Sequence, residues 1–339
     1  DNFKYNSSCT YDFLSFNLII NILILFFLSF TKISYSIYFL FLISFSLISN
    51  LLILIKMKNL YNIFINRNFF LFLSALIIIS INLSGDPTLT WDGIENWYFK
   101  AQNFFYNYNF FDLNNLRGIN YYPHLGGLLW GFFWKNSLLQ YEYVGRFVYL
   151  FVFLLSIFSI SDLLKNQTLK PIFQILLTLI CYDRFLFGGY QDILLFSILI
   201  FLSKYFYIYM KNEDRKILFL CFILLNFLPW IKNEGYLLLG VFILSQLMLI
   251  KLFKKKLDII IFILFSICFV VIKNYIFYEY LNVNPTHGAN LDFVFKTEQL
   301  IEFFFLLFQG VIIAIFKYEI WIFILLALFY GIKNIHLFK

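Results

Sequence analysis

The chain has 339 residues, 62% of them hydrophobic and only 13% charged. A soluble domain carries about a quarter charged residues, so composition excludes an ordinary water-soluble globule and points to the bilayer as solvent. The net charge of +7 would suggest nucleic acid in a soluble protein. Here the basic residues lie in short loops between apolar runs, where they set membrane topology, and no nucleic-acid partner is expected.

A span needs about 20 mainly apolar residues. In chain order the runs predict spans near 13–30, 37–55, 68–84, 143–161, 171–187, 192–210, 217–231, 235–250, 258–277, 301–316 and 319–332. The fold class is therefore all-α: one polytopic transmembrane bundle over 1–339, with roughly ten to eleven spans. Residues 85–141 form a first large external loop, and 278–300 a second. Within the first, 94–111 and 124–134 are expected to lie in the membrane interface as helices. The chain opens at Asp1 without Met and stops abruptly at Lys339, as a fragment would, and no cleavable signal peptide is evident.

Lys56, Lys58 and Arg67, then Lys165 and Lys170, then Lys211, Arg215 and Lys216, then Lys251 and Lys254 to Lys256 fall in every second loop. Those loops are expected in the cytoplasm. The other face receives eleven of the nineteen acids. The four cysteines are scattered without metal or redox spacing. The abundant Phe and Tyr reflect an AT-rich coding bias as much as structure, but four of the six Trp lie between residues 85 and 134.

Four polar stretches on the acidic face stand out. The first runs from Gly85 to Trp97. Its Asp92 could be a helix N-cap with Glu95 as capping-box partner, or a carboxylate held at the membrane surface to take a proton from a hydroxyl. The second is Tyr121-Tyr122-Pro123-His124, where His124 could bind phosphate, shuttle a proton or simply start a helix. The third, Arg184 to Asp192, has a Gly188-Gly189 turn; Asp192 suits the N-terminus of the next helix or a second site carboxylate, and Arg184 an anion contact. The fourth, Pro229 to Gly235, places Lys232 and Glu234 between two apolar runs, where charges are costly and tend to be functional. They could equally pair with one another. Arg146 and Lys273, near the ends of apolar runs, can snorkel. No nucleotide loop or nucleophile elbow is present.

In their order, these stretches resemble membrane glycosyltransferases of the GT-C fold, particularly bacterial relatives of the protein mannosyltransferase and aminoarabinose transferase group. Trp91-Asp92-Gly93 with Trp97 and Lys100-Ala101, then Tyr122-Pro123, Gly189-Tyr190-Gln191-Asp192 and Lys232-Asn233-Glu234-Gly235 carry the resemblance, which covers about residues 68–250. It implies a sugar donor on a polyprenyl phosphate and a lipid, glycan or protein acceptor. Asp92 would be the general base for inverting attack. Lys232, Arg184, His124 and Lys100 would stabilise the departing phosphate, while Glu95, Asp192 and Glu234 would orient substrate or cations. Some members use a divalent metal, which the carboxylates could hold. The implied location is the bacterial inner membrane, with the active side non-cytoplasmic. A transporter, a glycan polymerase or ligase of the O-antigen type, and a non-catalytic scaffold are the alternatives.

Overall fold

A computed structural model describes residues 9–56, 67–115, 122–164, 166, 168–250 and 253–280. They fall within one compact unit that runs from Asp1 to Asn284. The predicted spans 301–316 and 319–332, and nearly all of the second loop, lie outside the described residues. Among those described, every regular element is helical and none is a strand.

The apolar runs become α1 (Cys9–Leu28), α2 (Tyr35–Lys56) and α3 (Arg67–Ser84). A π-helical segment, Gly93–Tyr98, leads into the short α4 (Phe99–Phe105), and a 3-10 segment, Phe110–Asn115, follows. Then come α5 (Leu125–Asn136), α6 (Glu142–Ile160), α7 (Leu169–Cys181), α8 (Asp192–Asn212), α9 (Arg215–Ile231), α10 (Glu234–Leu249) and α11 (Lys256–Asn274). Five stretches are long and apolar enough to cross a membrane: Thr10–Leu28, Arg67–Ser84, Glu142–Leu163, Asp192–Asn212 and Lys256–Phe277.

The core forms around α6, which packs against α1, α3, α5, α7 and α8. Its face from Val148 to Ser159 is almost entirely buried. By contrast α2, α3, α10 and α11 present Phe41, Ile78, Leu244 and Phe265 outward. Such apolar faces are stable in hydrocarbon and costly in water. The predicted fifth span, 171–187, is shorter than expected: α7 stops at Cys181 and a 3-10 turn over Arg184–Phe187 follows.

The two helices expected in the interface are otherwise. The 94–111 stretch breaks at Tyr106, and Asn107 takes a positive φ of 67°. Its Trp97, Lys100, Ala101 and Phe104 are buried. α5 is buried from Leu125 to Trp134 on all sides but Phe133. Its glycines explain this. A methyl at Gly131 would sit 2.3 Å from the Ala101 carbonyl oxygen, and one at Gly127 2.8 Å from the Lys100 Cβ. Glycine lets α4 and α5 pack backbone to backbone, so α5 is a core helix and not a surface one.

Candidate functional site

The loop after α3 is fixed at two points. Asp86 accepts the Thr88 hydroxyl at 2.7 Å and lies 3.4 Å from the Arg184 guanidinium. Further on, the Thr90 N–H and hydroxyl both donate to the Gly188 carbonyl. Gly93 then fits where a Cβ would be 2.3 Å from that same oxygen, and Gly189, at φ 107°, has room for no side chain against Gly93 and Trp130. The first and third polar stretches are thus in direct backbone contact.

This docking aims Asp92. Its side chain makes no capping bond, and Glu95 does not complete a capping box. One carboxylate oxygen accepts the Asn96 amide, and the other accepts the Trp97 indole N–H at 2.9 Å. Trp97 is buried while Asp92 remains partly exposed. Asp92 is therefore an ionisable group held by two neutral donors with one side open. Glu95 is exposed, without a hydrogen bond or ion pair to a described residue.

Beneath Trp97 lies Lys100, 1% exposed. It donates to the carbonyls of Tyr122 at 2.8 Å and Pro123 at 3.1 Å, and sits over the Trp97 and Tyr122 rings. Burial pushes its ammonium well below the usual lysine range, and the charge of Lys273 pushes it in the same direction. His124 is buried beside them, with its ring against Phe277 and edge-on to Phe104 and Phe110.

The helix that follows the second stretch, α5, reaches the third through Gln191. Its amide donates to the Tyr149 hydroxyl at 2.9 Å, and that hydroxyl donates to the Gly126 carbonyl at 2.9 Å. Gly126 has no side chain because the Gln191 amide fills that place. The third reaches the fourth through Asp192, whose carboxylate takes two bonds from Lys232, at 2.8 and 3.1 Å. Glu234 is 3.5 Å from the same ammonium. Burial alone would lower the Lys232 ammonium; the Asp192 bond and the two carboxylate charges more than reverse this and hold it above its ordinary value.

Seven of the eight predicted residues fall into three groups, and Glu95 joins none of them. Asp92 and Lys100 flank Trp97, with His124 joined to Lys100 through the Tyr122-Pro123 turn. Asp192, Lys232 and Glu234 form one charged cluster. Arg184 stands apart: it is neutralised by Asp86 beside a crevice that Tyr143 and Arg146 also line. No hydrogen bond or ion pair links Asp92 to Arg184 or to Lys232.

Lys273 and Arg146 do not snorkel; each is 6% exposed. Lys273 donates to the Pro229 carbonyl at 2.8 Å and the Tyr236 hydroxyl at 2.6 Å, under the Trp230 ring. Arg146 bonds the carbonyls of Pro87, Thr88 and Phe187 and pairs with Glu142. It therefore ties the base of the Asp92 loop to the turn before Gly188. The Pro229 carbonyl lies in the last turn of α9, where carbonyls lack a helical donor, so a buried cation could have been sought there. Among the described residues, no three His, Cys, Asp or Glu side chains gather as a metal site. Comparison with known protein families, curated proteins and solved structures finds no match.

Proposed function

We propose that the protein is a polytopic membrane glycosyltransferase with roughly ten to eleven spans. It transfers a sugar from a polyprenyl-phosphate donor to a lipid, glycan or protein hydroxyl on the non-cytoplasmic side of a bacterial inner membrane. The observation that carries this reading is the docking of the Asp92 loop on Gly188-Gly189. With the Lys100 bonds to the Tyr122 and Pro123 carbonyls and the Asp192–Lys232 pair, it links the four polar stretches in series at one end of the bundle.

Asp92 acts as the general base. It takes the acceptor's proton as the acceptor oxygen attacks the anomeric carbon from the face opposite the phosphate. The bond from that carbon to the phosphate oxygen breaks, and the lipid phosphate leaves with the electron pair. Asn96 and Trp97 hold the carboxylate for this step. Lys100 and Lys273 are better placed than Arg184 for the departing charge. They are buried and have no carboxylate within ion-pair distance among the described residues, whereas Arg184 is already paired. Burial disfavours the Lys100 charge, so a developing phosphate anion beside it would favour the ammonium form, and in low dielectric that attraction exceeds one at an exposed site. Asp192, Lys232 and Glu234 orient the acceptor.

The test is sugar transfer from a polyprenyl-phosphate donor by membranes carrying Asp92→Asn. Turnover should fall about 10²- to 10⁴-fold. Near-normal turnover at normal expression overturns the assignment. A transporter is the second reading, favoured by Lys204, buried partway along α8 against Asp12 and Asp162. Solute uptake into proteoliposomes without transfer would support it.

A further inference from the structure

At the end of the bundle away from Asp92, two turns are bonded together. One joins α8 to α9 and the other joins α10 to α11. Glu213 closes α8 in the left-handed region at φ 47°. Its carboxylate accepts the Lys254 N–H at 2.9 Å, and its carbonyl accepts the Lys255 ammonium at 2.8 Å. Arg215 grips both oxygens of Asp258, at 2.9 and 3.0 Å. Asp214 caps α9 by accepting the Lys216 N–H at 2.9 Å.

Every acid of the two turns is thereby engaged locally, as are Arg215 and Lys255, while four further lysines have no carboxylate partner; of these Lys211 lies over the Tyr207 ring at 4.3 Å. Lys211, Lys216, Lys254 and Lys256 are exposed, and among the described residues none has a carboxylate within 4.0 Å of its ammonium. Lys256 also opens α11, where the helix dipole favours an anion. Directly beyond the cations the helices are apolar and bare. Met248 is 84% exposed on α10, and Leu257 and Leu264 on α11 are 67% and 57% exposed. A fixed cationic rim above an apolar wall has the two-part chemistry of a phospholipid.

We propose that this end of the bundle binds an anionic phospholipid. The headgroup phosphate lies among Lys211, Lys216, Lys254 and Lys256, and the acyl chains run along α10 and α11. The site is separate from the proposed transfer chemistry and does not rest on it. Exposed lysines beside an anionic headgroup should favour it at least about tenfold over a zwitterionic lipid.

The test uses the purified full chain in detergent, with bound lipid measured by native mass spectrometry. Phosphatidylglycerol and phosphatidylcholine are offered at equal concentration. The wild type should retain the anionic lipid at least about tenfold better. The quadruple Lys→Gln variant should lose that preference, and the quadruple Lys→Arg variant should keep it. If the quadruple Gln variant does not fold, the pairs Lys211→Gln with Lys216→Gln and Lys254→Gln with Lys256→Gln should each lose part of it. Equal retention of both lipids by the wild type overturns the proposal, as does an undiminished preference in the folded Gln variants. Displacement by glycerol phosphate as effective as by the intact lipid also overturns it, because the site would then hold a soluble anion.

Discussion

Thr90 gives both its backbone N–H and its hydroxyl to one oxygen, the Gly188 carbonyl, each at 2.9 Å. The Asp92 carboxylate is two residues away, so its position depends on a contact across 98 residues of chain. Gly93 is what allows that contact. In Gly93→Ala the new methyl would fall 2.3 Å from backbone, which cannot yield as a side-chain tip can. The expected cost is about 1–3 kcal/mol, read as a lower thermal midpoint in detergent. Under the proposed function, transfer activity should fall further than stability does, since the displaced loop carries the carboxylate proposed as the base.

Trp97→Phe separates aiming from packing. The ring keeps most of its buried volume but loses the N–H that binds Asp92 at 2.9 Å. Loss of a hydrogen bond to a charged group costs about 1.5–3 kcal/mol. The freed carboxylate should also lose its fixed direction, so turnover should fall by more than the thermal midpoint predicts while expression stays normal. Turnover identical to wild type would mean that Trp97 only fills space.

Much of this arrangement could be read in advance, and its failures are specific. The bounds of α2, α3, α6, α8, α9 and α10 lie within two residues of the predicted runs, because uninterrupted apolar stretches leave few other choices. The meeting of distant polar stretches is not a local property. Nothing near Asp192 announces Lys232 forty residues later. HLGGLLWGFFW has the aromatic richness of an interfacial helix, but Gly126, Gly127 and Gly131 mark backbone approach to α4 and Gln191, which is why α5 is packed within protein. Lys273 was read as snorkelling because the run contains no sign of Pro229, the carbonyl it serves.

The Asp192–Lys232 pair predicts a pH dependence of stability. The folded-state value of Lys232 is raised. Its contribution is therefore fully present below the ordinary lysine value of about 10.4 and is lost as pH rises through the raised value. In Asp192→Asn most of the upward influence is gone and burial remains. The gap in thermal midpoint between wild type and variant should hold steady from about pH 7 to 9 and close above about pH 10.5. The pair is partly exposed, so the gap itself should be small. A gap that widens in alkali would contradict the pairing.

Lys204 presents the opposite case. It is 1% exposed, bonds the Ser159 hydroxyl and pairs with Asp12, with Asp162 at 3.9 Å. Asp162 is itself buried and also holds Lys170 at 3.2 Å. The Lys204 ammonium thus joins α1, α6 and α8, and α7 is tied on through Asp162 and Lys170. Removing one partner of a buried ion pair leaves an uncompensated charge and costs about 3–5 kcal/mol, so Lys204→Met should lower the thermal midpoint far more than Asp192→Asn. Combining it with Asp12→Asn should restore part of the loss, because Asp12 has no other ion-pair partner among the described residues, whereas Asp162 keeps Lys170. The double-mutant cycle in detergent measures that coupling. Additive losses would show that Lys204 does not act through Asp12.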